Sequence, residues 1–200
     1  MMFLTDFSVS LELSTLIIAA VIGLGLLIML IVNCCRKDKL DIDGVDVGLD
    51  GLTFHICSDK EVRQIAYKLW VEINTRVIGV KINLDHDIIR AVHESYYTFF
   101  KSARLLIEDI PANSINKSKQ LINLSISFLN EVMRPYLTKW GIKFNDWYDK
   151  EREIDKNTPP QKLQRHYDEF KELSDDLLQL NLNIINYSNS LKRIAFKTKE

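Results

Sequence analysis

Glycine, proline and cysteine are all scarce in this 200-residue chain, with 7, 4 and 3 copies. So little Gly and Pro excludes a collagen-like or low-complexity chain, and 46% hydrophobic residues beside 26% charged ones exclude a disordered one. Three cysteines cannot staple a disulfide scaffold. An excess of positive charge is missing too. Lys and Arg total 26 against 27 Asp and Glu, a balance that argues against a general nucleic-acid binder. Residues 1–35 contain no Lys or Arg and only two acids, Asp6 and Glu12. The rest of the chain therefore holds all 26 bases and 25 acids.

What the first 35 residues do have is an uncharged apolar run. Leu13 to Cys35 reads LSTLIIAAVIGLGLLIMLIVNCC, with its polar residues, Ser14, Thr15 and Asn33, near the ends. As a helix it would span about 34 Å, enough for a hydrocarbon core of about 30 Å. A cleaved signal peptide would need a basic segment before the run and a small-x-small site after it. Neither is present; Arg36, Lys37 and Lys39 follow instead. The run is therefore expected to be a transmembrane helix. The flanking bases place the N-terminus outside and residues 36–200 in the cytoplasm. Thr15, Ala19 and Gly23 recur every fourth residue and form a small-residue face suited to close helix packing. No charge lies within the run, so nothing in it resembles an ion pathway. Cys34 and Cys35 are read as small boundary residues.

The stretch 40–57, LDIDGVDVGLDGLTFHIC, alternates apolar and polar residues between glycines, as a short β-hairpin does. Its aspartates fail the calcium-loop spacing: counted from Asp41, Asp46 occupies the glycine position. Counted from Asp46, Cys57 occupies the position of the bidentate Glu.

Helical periodicity dominates from residue 58 onward. Ser58-Asp59-Lys60-Glu61 has the pattern of a capping box. The helix it opens should bury Val62, Ala66, Leu69, Ile73 and Val77 and stop at Gly79. A second, capped by Asp85, runs through Ile89, Val92, Tyr96, Phe99, Phe100, Ala103 and Leu106 to Pro111. A third, opened by Asn113 or Ser114, carries Ile122, Ile126, Leu129, Met133, Leu137, Trp140, Phe144 and Trp147, as one long helix kinked at Pro135 or two coaxial ones with Pro135 in a new first turn, and with Gly141 off the stripe. A fourth starts at Pro159 and Pro160 and carries a nearly heptad stripe, Leu163, Tyr167, Phe170, Leu173, Leu177, Leu180, Ile184, Tyr187 and Leu191. The expected fold class is all-α: a short outer segment (1–12), a transmembrane helix (13–35), a linker (36–57) and a cytoplasmic bundle of four long helices (58–200). The last two helices are long for the domain, and apolar surface left over on them would pair copies of the chain into a homo-oligomer.

Catalytic signatures are missing. No P-loop, dinucleotide turn, nucleophile elbow or HExxH occurs. Of the four histidines, His86 and His93 lie two turns apart on one helix face, with Arg90 between them. That pair supplies too few ligands for a metal, and no cofactor is expected. The face reads as solvated and hydrogen-bonded. Arg90 and His93 are the catalytic candidates, for a helical-bundle nuclease with His as base and Arg as phosphate clamp. The aromatics Tyr136, Trp140, Trp147 and Tyr148 at helical spacing read as core rather than as a ligand cage. Arg134, Pro135, Tyr136, Lys139 and Trp140 gather bases and aromatics at the kink and are candidates for a hinge or a docking point.

This order of anchor, short linker and cytoplasmic helical domain, with the segment RPYLTKW followed by Phe144 and Trp147-Tyr148, resembles small single-pass membrane proteins of bacterial antiviral defence, of the type VI-B CRISPR accessory kind. The resemblance implies a degenerate RNase-like helical bundle that assembles into a ring in the inner membrane and perturbs it. The chain departs from that pattern in lacking an Arg and a following His with four to six residues between them, which puts RNase chemistry in doubt. The expected partners are the lipid bilayer, further copies of the chain and a cytoplasmic protein. A non-enzymatic membrane tether is the alternative function, and a membrane-bound nuclease the second alternative.

Overall fold

Alternation of facing residues sets the first element. A computed structural model describes residues 44–49, 52–57 and 59–197. Strand β1 (Gly44–Leu49) pairs antiparallel with β2 (Leu52–Cys57), Gly44 opposite Cys57 and Leu49 opposite Leu52. Phe54 and Ile56 of β2 are buried, while Thr53 and His55 face solvent. On the outer face His55 Nδ1 lies 2.8 Å from Oδ1 of Asp46, its cross-strand neighbour. The hairpin expected in the linker is thus present. The apolar run 13–35, with Thr15, Ala19 and Gly23, lies outside the described residues. Among the described residues no helix is long and apolar enough to cross a membrane.

The described remainder is helical. Helix α1 (Lys60–Asn74) is capped by Asp59, whose carboxylate accepts the Glu61 N–H at 3.2 Å. That bond and the Lys117 ammonium hold the Asp59 carboxyl below its usual range. The cap falls one residue after the expected Ser58. Of the expected stripe, Val62, Ala66, Leu69 and Ile73 are fully buried and Val77 only half-buried. The helix ends at Asn74 rather than at Gly79, and Val77–Gly79 forms a separate 3-10 turn. Gly79 is there because that turn folds back onto the end of α1. A Cβ at 79 would meet the Ile73 carbonyl oxygen and stand 2.8 Å from Asn74 Cα. Those are backbone atoms, which cannot step aside. Gly79→Ala is expected to cost about 2 kcal/mol, read as a lower urea midpoint; an unchanged midpoint would remove this explanation.

Helix α2 (Ile89–Glu108) begins three residues later than a cap at Asp85 would place it, and no side chain caps it. Asp85 sits in the preceding turn, where its N–H is held by Asn83 Oδ1 and its carboxylate by Arg165. A buried amide replaces the cap: Gln164 Oε1 accepts the Ile89 N–H at 2.9 Å, and its Nε2 donates to the carbonyls of Asp87 and Leu84. Asn181 does the same upstream. It accepts the Ile82 N–H at 3.0 Å and donates to the carbonyls of Ile78 and Val80. Two buried side chains from the end of the chain thus satisfy the backbone of the 78–89 connector.

Residues 115–154 form one continuous helical run, built of α3 (Ile115–Ser127), a π-helical turn (Phe128–Met133), α4 (Arg134–Tyr136), a second π-helical turn (Leu137–Gly141) and α5 (Ile142–Ile154). Pro135 explains the first widening. It has no N–H, and its ring would collide with the carbonyl four residues back in a regular helix. The wider turn makes room, and the Arg134 N–H reaches back to Leu129, five residues away. A π-turn carries one extra residue, so the apolar face slips by one. Upstream of it Leu121, Leu124, Ser125 and Phe128 are buried. Ile126 is exposed and Ile122 only half-buried, contrary to the α-helical count. Gly141, expected off the stripe, is buried; a Cβ there would run into the Tyr97 hydroxyl.

The fourth expected helix is broken. Short α6 (Pro160–Leu163) and a 3-10 turn (Gln164–His166) precede α7 (Phe170–Phe196). The expected stripe still faces inward from Leu163 to Leu191, with Phe170 half-buried. Helix α7 lies antiparallel to α1, because Asn74 Nδ2 reaches Ser188 Oγ (2.7 Å) at one end and Arg63 Nε reaches the Ala195 carbonyl (3.0 Å) at the other.

Candidate functional site

The stripes of α2 and of the π-widened helix bring two groups of candidates together. His93 comes from α2 and Tyr136 from α4, 43 residues later. His93 Nε2 lies 2.7 Å from the Tyr136 hydroxyl and Nδ1 lies 2.8 Å from Asn145 Oδ1. With an oxygen facing Nδ1, that nitrogen carries the proton and Nε2 accepts from the Tyr136 O–H. The face is not solvated at this point: His93 is 0% exposed. Rings of Tyr136 and Phe144 stand edge-on to the imidazole, with centroids 5.5 and 5.7 Å away. Burial pushes the imidazole pKa down to about 4, the Asn145 bond opposes that, and the nearby Arg90 charge adds to it. The ring is therefore neutral at pH 7.

The Tyr136 hydroxyl is raised well above its usual value, mainly by burial and then by its neighbour Tyr96. The Tyr96 hydroxyl is raised by burial and has no hydrogen-bond partner among the described residues. Arg90 does not join this cluster. Its Nε points to Asp149 of α5, 3.2 Å from both carboxylate oxygens, at the surface. A general base would need a nitrogen open to substrate, and both nitrogens of His93 are engaged inside the core.

The other candidates split between two faces of the same helix. Trp140 is core: its indole N–H donates to Asp176 Oδ2 at 2.8 Å. Lys139 donates to the same oxygen at 2.8 Å and to Glu172 at 2.7 Å, and covers the Trp140 ring. Hydrogen bonds from Lys139 and Trp140 hold the Asp176 carboxyl below its usual range. Tyr148 is buried and Trp147 half-buried, so the aromatics belong to the core as expected. Arg134 and Pro135 are exposed. Arg134 is braced by Asn130 Oδ1 at 2.9 and 3.1 Å and lies over the Phe100 ring. Beside it Tyr97, Phe100, Leu137, Thr138 and Ile142 line a surface groove of about 350 Å³. The groove runs on past Phe100 toward Arg104 and Ile126.

Asn145, Gln164 and Asn181 carry the buried polar bonds and escape sequence reasoning. An amide next to an apolar stripe has no pattern that distinguishes a buried bond-former from a surface residue. Among the described residues no group of three or more His, Cys, Asp or Glu could hold a metal. Fold and site together define an all-α bundle with a leading hairpin, a sealed His–Tyr–Asn network and an open surface groove beside Arg134. No family model, curated protein or solved structure matches the chain.

Proposed function

We propose that this chain is a membrane-anchored helical scaffold that works by assembling with its own copies, as an effector or accessory protein of bacterial antiviral defence. One observation carries the assembly: the apolar strip over the π-widened helix, where Tyr97 is exposed and Ile142 is 79% exposed beside the groove. Contiguous apolar surface of this kind marks interaction sites. The strip is rimmed by Arg104 and Arg134, with Glu108 beside Arg104. On α7, Asp175, Leu178 and Leu182 follow at spacings of three and four and are all exposed. Packing the strip beside Arg104 and Arg134 on one copy against the Asp175–Leu178–Leu182 strip of the next is a head-to-tail contact, and such contacts form rings when the rotation between copies closes. The anchor expected at 13–35 would confine that assembly to the plane of the membrane. The sealed state of His93 favours assembly over nuclease chemistry.

The test is the particle size of the full chain in mild detergent, measured by mass photometry. The wild type is expected to be multimeric. Ile142→Asp and Leu182→Asp, each on one strip, are expected to shrink it; a monomeric wild type would remove the proposal. Membrane-potential dyes in expressing cells then separate an effector, which depolarises them, from a static tether, which does not.

A further inference from the structure

A second surface lies at the end of the bundle where the chain enters from residue 44, and the assembly strips leave it free. Along α1, Lys60, Arg63, Tyr67 and Trp70 recur at spacings of three, four and three, and so share one edge. Phe196, in the last turn of α7, stands against that edge. Its ring meets Tyr67 at 6.0 Å and Trp70 at 5.4 Å, both edge-on. Tyr67 is 46% exposed and Phe196 48%. The bond from Arg63 Nε to the Ala195 carbonyl ties the two helix ends together. Lys192 and Arg193 precede Phe196 by one turn. The acids of α1 turn elsewhere: Glu61 lies toward Lys117 and Glu72 holds Arg76. The result is an edge on which exposed Tyr67 and Phe196 flank half-buried Trp70, with exposed Lys60 and Lys192 and half-buried Arg63 and Arg193 around them.

We propose that this edge rests on an anionic lipid surface and fixes the orientation of the bundle against the bilayer. Two features of the edge select a lipid occupant. Tyr and Trp with an apolar body and polar tip settle at the headgroup level, and Lys and Arg beside them gain from anionic headgroups. A second copy meeting this edge about a twofold axis would set cations against cations. The inference rests on the anchor reading in one respect. Residues 36–43, between the apolar run and β1, reach at most about 29 Å when fully extended. Gly44 pairs with Cys57, three residues before Lys60, so the edge lies at the tethered end.

The experiment uses the full chain in vesicles of phosphatidylcholine alone or mixed with phosphatidylglycerol, with brominated acyl chains as the quencher. Trp140 is buried and Trp147 half-buried, so Trp70 is read as the difference in quenching between the wild type and Trp70→Phe, with Trp147 common to both. We expect Trp70 to be quenched in the mixed vesicles and to lose most of that quenching in phosphatidylcholine or in high salt. Lys60→Glu with Lys192→Glu, both at exposed sites, should shift the bound fraction by roughly tenfold. Carbonate washing is read on the same samples. Protein that resists washing but shows no headgroup-dependent quenching of Trp70 overturns the lipid contact and spares the anchor. Protein released by washing, with Trp70 still quenched by anionic vesicles, supports the contact and removes the anchor. Trp70 shielded from lipid by a dimer sensitive to Lys60→Glu would assign the edge to a second copy and overturn the proposal.

Discussion

Asn181→Leu is expected to destabilise the bundle by about 3 kcal/mol or more, although leucine has the same branched heavy-atom skeleton and opens no cavity. Asn181 is 2% exposed. Its amide serves three backbone groups of the connector: the Ile82 N–H and the Ile78 and Val80 carbonyls. Leucine serves none of them. Each buried backbone group left unpaired costs about 1–3 kcal/mol, and the added apolar burial offsets only part of that. The connector between α1 and α2 would then have to open toward water to satisfy itself. The measurement is the urea unfolding midpoint, with Asn189→Leu, at an exposed position of the same helix, as the control expected to stay within about 0.5 kcal/mol. Equal effects of the two substitutions would show that the connector does not depend on Asn181.

Acid should weaken the fold through His93, and the direction follows from its surroundings. Burial lowers the imidazole pKa from 6.5 to about 4. Above pH 6.5 the ring is neutral in both folded and unfolded chains and contributes no pH dependence. Between pH 6.5 and pH 4 the unfolded chain takes up a proton that the folded one refuses, so stability falls by about 1.4 kcal/mol per pH unit. The loss totals about 3 kcal/mol and levels off below pH 4, once the folded state also protonates. His93→Gln keeps a hydrogen-bonding amide between Tyr136 and Asn145 and does not titrate. Its stability relative to wild type should therefore improve by about 3 kcal/mol from pH 7 to pH 4. Carboxylates titrating in the same range cancel in that difference. Parallel pH profiles for the two proteins would mean that the imidazole is not sealed as described.

The core was legible wherever the backbone kept a regular period. Val62, Ala66, Leu69 and Ile73 on α1, and Leu173 through Leu191 on α7, stand where a 3.6-residue repeat puts them. The hairpin followed from alternation between glycines. Legibility failed at Ile122 and Ile126, because a π-turn ahead of Pro135 adds a residue that no α-helical count contains. It failed again at Asp85, a good cap by residue type, because Gln164, 75 residues beyond Ile89, already satisfies the Ile89 N–H. For the candidate site, residue type drew attention to His93 and Tyr136, while spacing could not show that they meet. Their partner Asn145 carried no signal, and Arg90 was drawn to Asp149 instead.

By itself the sequence determined the helical class, the inward stripes and the hairpin, because these depend on residues a few positions apart along one chain. Tertiary structure alone decided that His93 is sealed and neutral, that three amides hold the connector and the imidazole, and that Ile142 and Tyr97 are left on the surface. Those outcomes depend on which groups 43 to 103 residues apart come within hydrogen-bond reach. Burial and bonding at such distances are properties of the packed bundle, and local pattern carries no record of them.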